Sequence, residues 1–188
     1  MIGNCPEFFI LKLSLNYYGM SCIPLNNELT FEELSFIINN AKPKYIIFAK
    51  IFTDLLDKTL SENKFFKVGI IEHNLNSLKL LRKTTYNNKK SLRLNSKTES
   101  SILYTSGTTG APKGCILTHE YEINAGFNYA KKMGLISFKI GKEKLYNCLP
   151  VHHVNAGVLS FFAMLITANC QIQGEKFSVK NFWKDIKL

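Results

Sequence analysis

Arginine is almost missing from this chain: Arg82 and Arg93 are the only guanidinium groups among 24 basic residues, the rest being lysine. Base reading and bidentate phosphate clamping both favour the planar fork of arginine. The formal net charge of +10 is therefore read as scattered, solvated lysine, and no nucleic-acid partner is expected. A basic surface of this kind still suits a polyphosphate ligand. Paired cysteines are missing too. Cys5, Cys22, Cys115, Cys148 and Cys170 are odd in number, widely spaced and form no C-x-x-C pair, which points to reduced thiols in a cytoplasmic setting. No long hydrophobic run is present. The longest, residues 154–170, contains Asn155, Ser160 and Asn169 and falls short of the roughly 18 to 20 residues of a membrane span, so it is read as a buried helix and no transmembrane segment is expected. The opening MIGNCPEFFILKLSLNYYGM has no basic n-region, and Lys12 breaks its apolar run, so it reads poorly as a secretory signal. What remains is ordinary for a globular protein: 188 residues, 46% hydrophobic, 12% aromatic and 20% charged, enough for one domain with a sizeable core.

Along the chain, helical and strand periodicities alternate. Asn4 as cap and Pro6 in the first turn open a helix whose apolar positions are Phe9, Leu13 and Tyr17, and Gly19 can stop it. A short apolar run at 21–24 reads as a strand. Thr30 and Glu33 have capping-box spacing and open an amphipathic helix over 31–40, with Leu34, Ile37 and Ile38 on one face. Strand patterns follow at 45–48 and 68–71, with helical pattern over 52–60 between them. Apolar density drops over 74–100, which predicts a long polar surface excursion. Strands at 101–104, 145–149 and 171–173, and helices over 119–133 and 157–168, complete an α/β pattern, a mostly parallel sheet flanked by helices. Tyr17, Tyr18, Phe31, Phe36 and Trp183 are assigned to packing.

Residues 102–114 read ILYTSGTTGAPKG, an apolar strand running into a loop of small and hydroxylated residues. Gly107 and Gly110 let backbone N–H groups approach an anion closely. Thr105, Ser106, Thr108 and Thr109 add hydroxyl donors for phosphate oxygens or a magnesium ion. Lys113 supplies a mobile point charge, and Pro112 stiffens the loop that presents it. A Walker-type loop needs Gly-Lys followed by Ser or Thr; here Pro112 precedes Lys113 and Gly114 follows it, which disfavours that class. An ordinary Gly-Thr turn would not need so many donors.

The segment YTSGTTGAPKG resembles the phosphate-loop signature of the AMP-dependent synthetase and ligase superfamily of adenylate-forming enzymes, which includes acyl-CoA synthetases, luciferases and peptide-synthetase adenylation domains. The resemblance implies that Thr105, Ser106, Gly107, Thr108, Thr109, Gly110 and Lys113 bind the β- and γ-phosphates of ATP. The following GCILTHEYEIN is also similar to the family, with Thr118 and His119 as a cap and a first-turn residue. LPVHHVNAG, residues 149–157, resembles the family segment that forms part of the acyl pocket, which implies that His153, more than His152, stands beside the substrate carboxylate. Without a neighbouring carboxylate or cysteine cluster the histidines are not read as metal ligands.

The HVNAG segment is closer in character to acyl-CoA ligases, including the carnitine and crotonobetaine type, than to amino-acid adenylation. The implied activity is ATP-dependent activation of a carboxylic acid as an acyl-adenylate and transfer to coenzyme A, with ATP, Mg2+ and coenzyme A taking part and Lys113 and His153 in catalytic roles. Cys115 is given no nucleophilic role, since no partner base is evident. The family's adenine-site and ribose-site segments and its C-terminal lid have no counterpart in residues 1–188. The chain is therefore expected to be a partial large N-terminal adenylation domain, whose partner would be the missing remainder of the enzyme. The rival reading is a non-catalytic nucleotide-binding remnant or partner-binding module.

Overall fold

A computed structural model describes residues 1–62, 69–74, 77–83, 93–105, 112–131 and 137–187. In chain order it contains α1 (Pro6–Tyr17), α2 (Phe31–Ala41), β1 (Tyr45–Ala49), a 3-10 turn (Lys50–Phe52), α3 (Thr53–Glu62), β2 (Gly69–Asn74) and β3 (Ser77–Arg82). There follow β4 (Glu99–Thr105), β5 (Lys113–Thr118), α4 (His119–Ala130), β6 (Lys144–Asn147), a π-helical turn (Asn155–Ser160), α5 (Phe161–Ile166), β7 (Cys170–Gln173) and α6 (Val179–Asp185). The chain divides into two compact units, one made of residues 1–3, 25–92 and 104–115, the other of 4–24, 93–103 and 116–188.

The first unit is a three-stranded sheet in the order β1-β2-β3. β1 runs parallel to β2, from Tyr45 opposite Gly69 to Ala49 opposite His73, and β3 returns antiparallel from Asn74 opposite Ser77. α2 begins as its capping box predicts. Thr30 N–H donates to Glu33 Oε2 at 2.9 Å and Glu33 N–H to Thr30 Oγ1 at 3.3 Å, which satisfies two of the amides that a helix start leaves open. The helix face carrying Leu34 and Ile38 then packs on Ile46 and Phe48 of β1 and Leu56 of α3.

β3 adds a strand, not foreseen from the sequence, within the polar surface excursion expected over 74–100. Ser77 through Leu81 are all exposed, so this strand is held by its ladder to β2 and lacks the one-sided burial that makes a strand visible in a sequence.

In the second unit, β6 and β7 pair in parallel, and residues 21–24 supply only a parallel bridge, Cys22 opposite Ser101, in place of the predicted strand. α4 and α5 cross closely. A Cβ on Gly126 would stand 2.4 Å from Phe162 Cβ, so only glycine permits this contact. Phe161 stacks on Phe9 of α1 with ring centroids 4.3 Å apart, and Leu103, Val158 and Phe162 form the apolar centre.

The inward face of α1 differs from the apolar one predicted. Tyr17 and Tyr18 are 77% and 71% exposed, while Phe8, Phe9, Lys12 and Asn16 are buried. The reason is electrostatic. Lys12 Nζ lies 2.7 Å from Glu122 Oε1 of α4, with the two side chains 1% and 0% exposed. Ser101 Oγ donates to the same oxygen at 2.5 Å. Ser100 Oγ lies 2.6 Å from Glu122 Oε2 and 2.9 Å from Asn16 Oδ1; its one proton serves the nearer, charged acceptor. Asn16 Nδ2 donates to Ser100 O at 2.8 Å. A buried carboxylate surrounded in this way draws α1, α4 and β4 together, and the helix rotates its lysine inward to reach it.

Two further expectations are corrected. Trp183 is 68% exposed, touching Phe182 edge-on at 5.3 Å, so it is a surface residue of α6. That helix has a cap, Ser178 accepting from Asn181 N–H at 3.4 Å, that the sequence reading did not use. Cys5, and not Asn4, occupies the cap position of α1, and the Asn4 amide is engaged elsewhere. The stop at Gly19 does hold: at a φ of +73° it adopts the left-handed conformation that ends helices.

Removing either member of the ion pair strands the other in the core. Lys12→Met or Glu122→Leu alone is expected to lower the unfolding free energy by about 3 to 5 kcal/mol, and the double substitution to recover most of that loss. Urea titration of all three variants checks it; additive losses would contradict a coupled pair. By the same measurement Gly126→Ala is expected to cost about 1 to 3 kcal/mol through overpacking.

Candidate functional site

Thr105 is the last residue of β4 and Lys113 the first of β5, and the two strands are hydrogen-bonded neighbours. The sequence turns from apolar to small and hydroxylated where β4 ends, so the strand delivers the loop and the loop returns directly into the next strand. Both the Thr105 and the Lys113 side chains are exposed. A hydroxyl donor and an ammonium group thus stand open at the two ends of the loop, the complement an anionic oxygen requires. Ser106, Gly107, Thr108, Thr109 and Gly110 lie outside the described residues.

The strand end is anchored within its own unit. Tyr104 Oη donates to Asn40 Oδ1, near the end of α2, at 2.6 Å, and partial burial raises the phenol above its ordinary pKa. That keeps it a protonated donor. Neither Tyr104 nor Asn40 stood out in the sequence, since nothing in the local pattern pairs them.

His153 belongs to the second unit, on the loop between β6 and the π-helical turn. Its ring is exposed, whereas that of His152 is half-buried. The ring centroids are 4.4 Å apart and tilted by 41°. Burial, with a smaller contribution from the charge of His153, pushes the His152 pKa down from 6.5 to about 4. His152 is therefore neutral at pH 7.

The backbone around them is tied down. His153 N–H donates to Pro150 O at 3.0 Å and Gly157 N–H to His153 O at 2.9 Å. Buried Asn147 accepts from Leu149 N–H at 2.9 Å and donates to Ser160 Oγ at 2.8 Å. A Cβ on Gly157 would meet Val151 O at 2.1 Å, so glycine is what lets the π-helical turn close against the loop. π-helical turns of this kind recur where a helix has been adapted to present a functional group.

Thr118 is a helix cap as expected, accepting from Tyr121 N–H at 3.2 Å. Among the described residues no group of three or more His, Cys, Asp or Glu could hold a metal ion.

The depressed pKa of His152 has a consequence for stability. Between pH 6.5 and about 4 the unfolded chain binds a proton at this position that the folded chain refuses, so stability falls as the pH is lowered through that window. His152→Asn is expected to flatten this part of the stability profile, measured as urea midpoints against pH. An unchanged slope would contradict the assignment.

Three comparisons bear on this arrangement. The sequence model of the AMP-binding enzyme family matches residues 1–187. Crotonobetaine/carnitine–CoA ligase of Proteus mirabilis is 26% identical over 200 residues, an alignment covering 98% of this chain and 37% of the relative. 2-Succinylbenzoate–CoA ligase of Listeria innocua is 28% identical over 147 residues, covering 78% of this chain and 27% of the relative.

Among solved structures, the inhibitor-bound N-terminal domain of FACL13 from Mycobacterium tuberculosis superposes with a TM-score of 0.80 at 22% identity, covering 99% of this chain and 46% of that one. ATP-bound MatB from Rhodopseudomonas palustris gives 0.74 at 20% identity, covering 97% and 36%. These structural likenesses establish the mixed α/β fold of the N-terminal domains of adenylate-forming enzymes. The chain spans a little over a third of the length of the first curated relatives it matches. A family match along practically the whole chain, on this fold and with this strand-loop-strand, leads to one assignment: the chain belongs to the AMP-binding enzyme family.

Proposed function

We propose that this chain is the phosphate-loop-bearing part of an acid–thiol ligase that activates a carboxylic acid with ATP and transfers the acyl group to coenzyme A. The observation that carries the proposal is the pairing of open Thr105 and Lys113 side chains at the ends of YTSGTTGAPKG, within a chain matched to the AMP-binding family over residues 1–187. Residues 1–188 then form part of the adenylation domain, with the 74–100 segment as a surface addition to it.

In the first half-reaction a carboxylate oxygen attacks the α-phosphorus of ATP and the bond to the bridging oxygen breaks. The acyl-adenylate forms and pyrophosphate leaves with the electron pair. In the second, the sulfur of coenzyme A attacks the acyl carbon, AMP leaves, and the thiol proton is lost. Catalysis of the first step rests on positioning and on charge stabilisation. Lys113, with Thr105, Ser106, Thr108, Thr109 and the amides of Gly107 and Gly110, draws charge from the departing pyrophosphate; a magnesium ion arriving on the phosphates, with the exposed Thr105 hydroxyl as an oxygen ligand, would supply further neutralisation. His153 orients the carboxylate. An exposed imidazole on a fixed backbone is suited to that task, and His152, neutral and half-buried, is not.

The curated relatives named above are CoA ligases, which supports coenzyme A as the acceptor and a small carboxylic acid as the substrate. All five cysteines are free thiols, which favours a reducing, cytoplasmic compartment. Among the described residues no helix is long and apolar enough to cross a membrane.

Lys113→Ala, made in the polypeptide that contains this chain, is expected to slow adenylation by about a hundred- to a thousandfold, the scale of losing one preorganised charge-stabilising group. ATP affinity should weaken far less. Single-turnover kinetics beside equilibrium ATP binding separates the two, and equal losses would contradict a role in the transition state. Residues 1–188 by themselves are expected to catalyse no carboxylate-dependent pyrophosphate exchange. Robust exchange by this piece alone would overturn that expectation.

A further inference from the structure

Asn4 has the most unusual set of partners in the second unit. Its Nδ2 donates to Leu149 O at 3.2 Å and to Gly174 O at 3.1 Å, and its Oδ1 accepts from Val151 N–H at 2.9 Å. Both amide hydrogens and the amide oxygen are therefore committed to main-chain groups more than a hundred residues away. By presenting an acceptor and a donor to the N–H and C=O of one irregular segment, a single side chain does what a neighbouring strand would do in a sheet. Gln173 Nε2 adds a second donor to Leu149 O at 3.0 Å.

The segment so held leads straight to His153. Leu149 and Val151 flank Pro150, whose carbonyl accepts the His153 N–H. Val151 is buried, and its carbonyl faces the side of Gly157 that lacks a Cβ. Each link is short, and the His153 ring is left open. Asn4 is itself immobilised, since Cys5 and Pro6 lead directly into α1, the helix locked by the Lys12–Glu122 pair.

We propose that Asn4 is a positioning residue for the substrate carboxylate: its side-chain amide fixes the backbone of residues 149–151 and thereby sets where the His153 imidazole stands. The inference rests on the role given to His153 under the proposed function. It separates Asn4 from ordinary structural residues, because a group that must meet a substrate oxygen at hydrogen-bond distance is sensitive to displacements of about 1 Å, which can cost on the order of a hundredfold in rate.

The test uses Asn4→Ala and the isosteric Asn4→Asp, which turns a carboxylate toward Leu149 O and Gly174 O in place of two donors. In the polypeptide that contains this chain, both are expected to lower kcat/KM for the acid by about ten- to a hundredfold with ATP affinity unchanged. Asn4→Ala added to His153→Ala should cost nothing further, since the two act through one group. Multiplying losses, or equal losses for acid and ATP, would overturn the proposal.

A second readout does not depend on turnover. In protein with 13C-labelled histidine, Asn4→Ala should shift the ring signals of His152 and His153 and raise the His152 titration midpoint toward 6.5 as the loop loosens. Unmoved rings would show that Asn4 does not hold the loop. A parent polypeptide with no acid-dependent adenylation would sink the functional reading instead, and the histidine signals would still decide the clamp.

Discussion

Glu122 and Lys12 set the terms for the second unit, because a carboxylate and an ammonium group taken out of water cost several kcal/mol each unless every partner is in place. Glu122 receives the lysine and two serine hydroxyls on its two oxygens, and those donors come from α1 and β4 while the acceptor is on α4. The requirement is geometric as well as energetic. Hydrophobic side chains could pack α1 in several rotations, whereas a 2.7 Å ion pair admits one. The rotation it selects buries Asn16 and turns Tyr17 out to solvent, against what apolar periodicity favours.

The segment that carries His153 is held from an element that this pair fixes. β4 carries Ser100 and Ser101 in the buried network. α1 carries Lys12, and just before its first turn Asn4 reaches the backbone that leads to His153. Loops that act on substrates gain precision from rigid scaffolds, and the scaffold here is polar at its centre. Glycine completes the arrangement at two crossings: Gly126 admits Phe162 to α4, and Gly157 admits the Val151 carbonyl to the π-helical turn.

What could be read from the sequence followed from how local each signal is. The α2 capping box, the Gly19 stop, the Thr118 cap and the strand leading into YTSGTTGAPKG each need only a few neighbouring residues, and the structure has them where the pattern put them. The loop proposed to bind phosphate is marked in the sequence by its glycines and dense hydroxyl donors, the composition that close approach of backbone to an anion demands. Expectations that failed depend on distant partners. Lys12 looked like an interruption of an apolar face until Glu122, 110 residues later, supplied its reason for being inside. Asn4 before Cys5-Pro6 reads as a helix cap, and nothing nearby announces that Leu149, Val151 and Gly174 will claim its amide. β3 is exposed along its length, so no alternation marked it within the polar segment.

The family resemblance already favoured His153 over His152, and the structure adds a difference in exposure that no local pattern carries: His152 is half-buried and His153 exposed. Burial keeps His152 neutral, while the exposed ring of His153 suits the substrate role proposed for it. The proposed activity requires that the loop at residues 105–113 serve attack at the α-phosphorus of ATP and not at the γ-phosphorus. The most direct test is to identify the nucleotide products when the polypeptide containing this chain is given ATP, magnesium and a panel of small carboxylic acids. AMP and pyrophosphate, formed only when an acid is present, are the products the account predicts; ADP and orthophosphate, or cleavage indifferent to the acid, would contradict it.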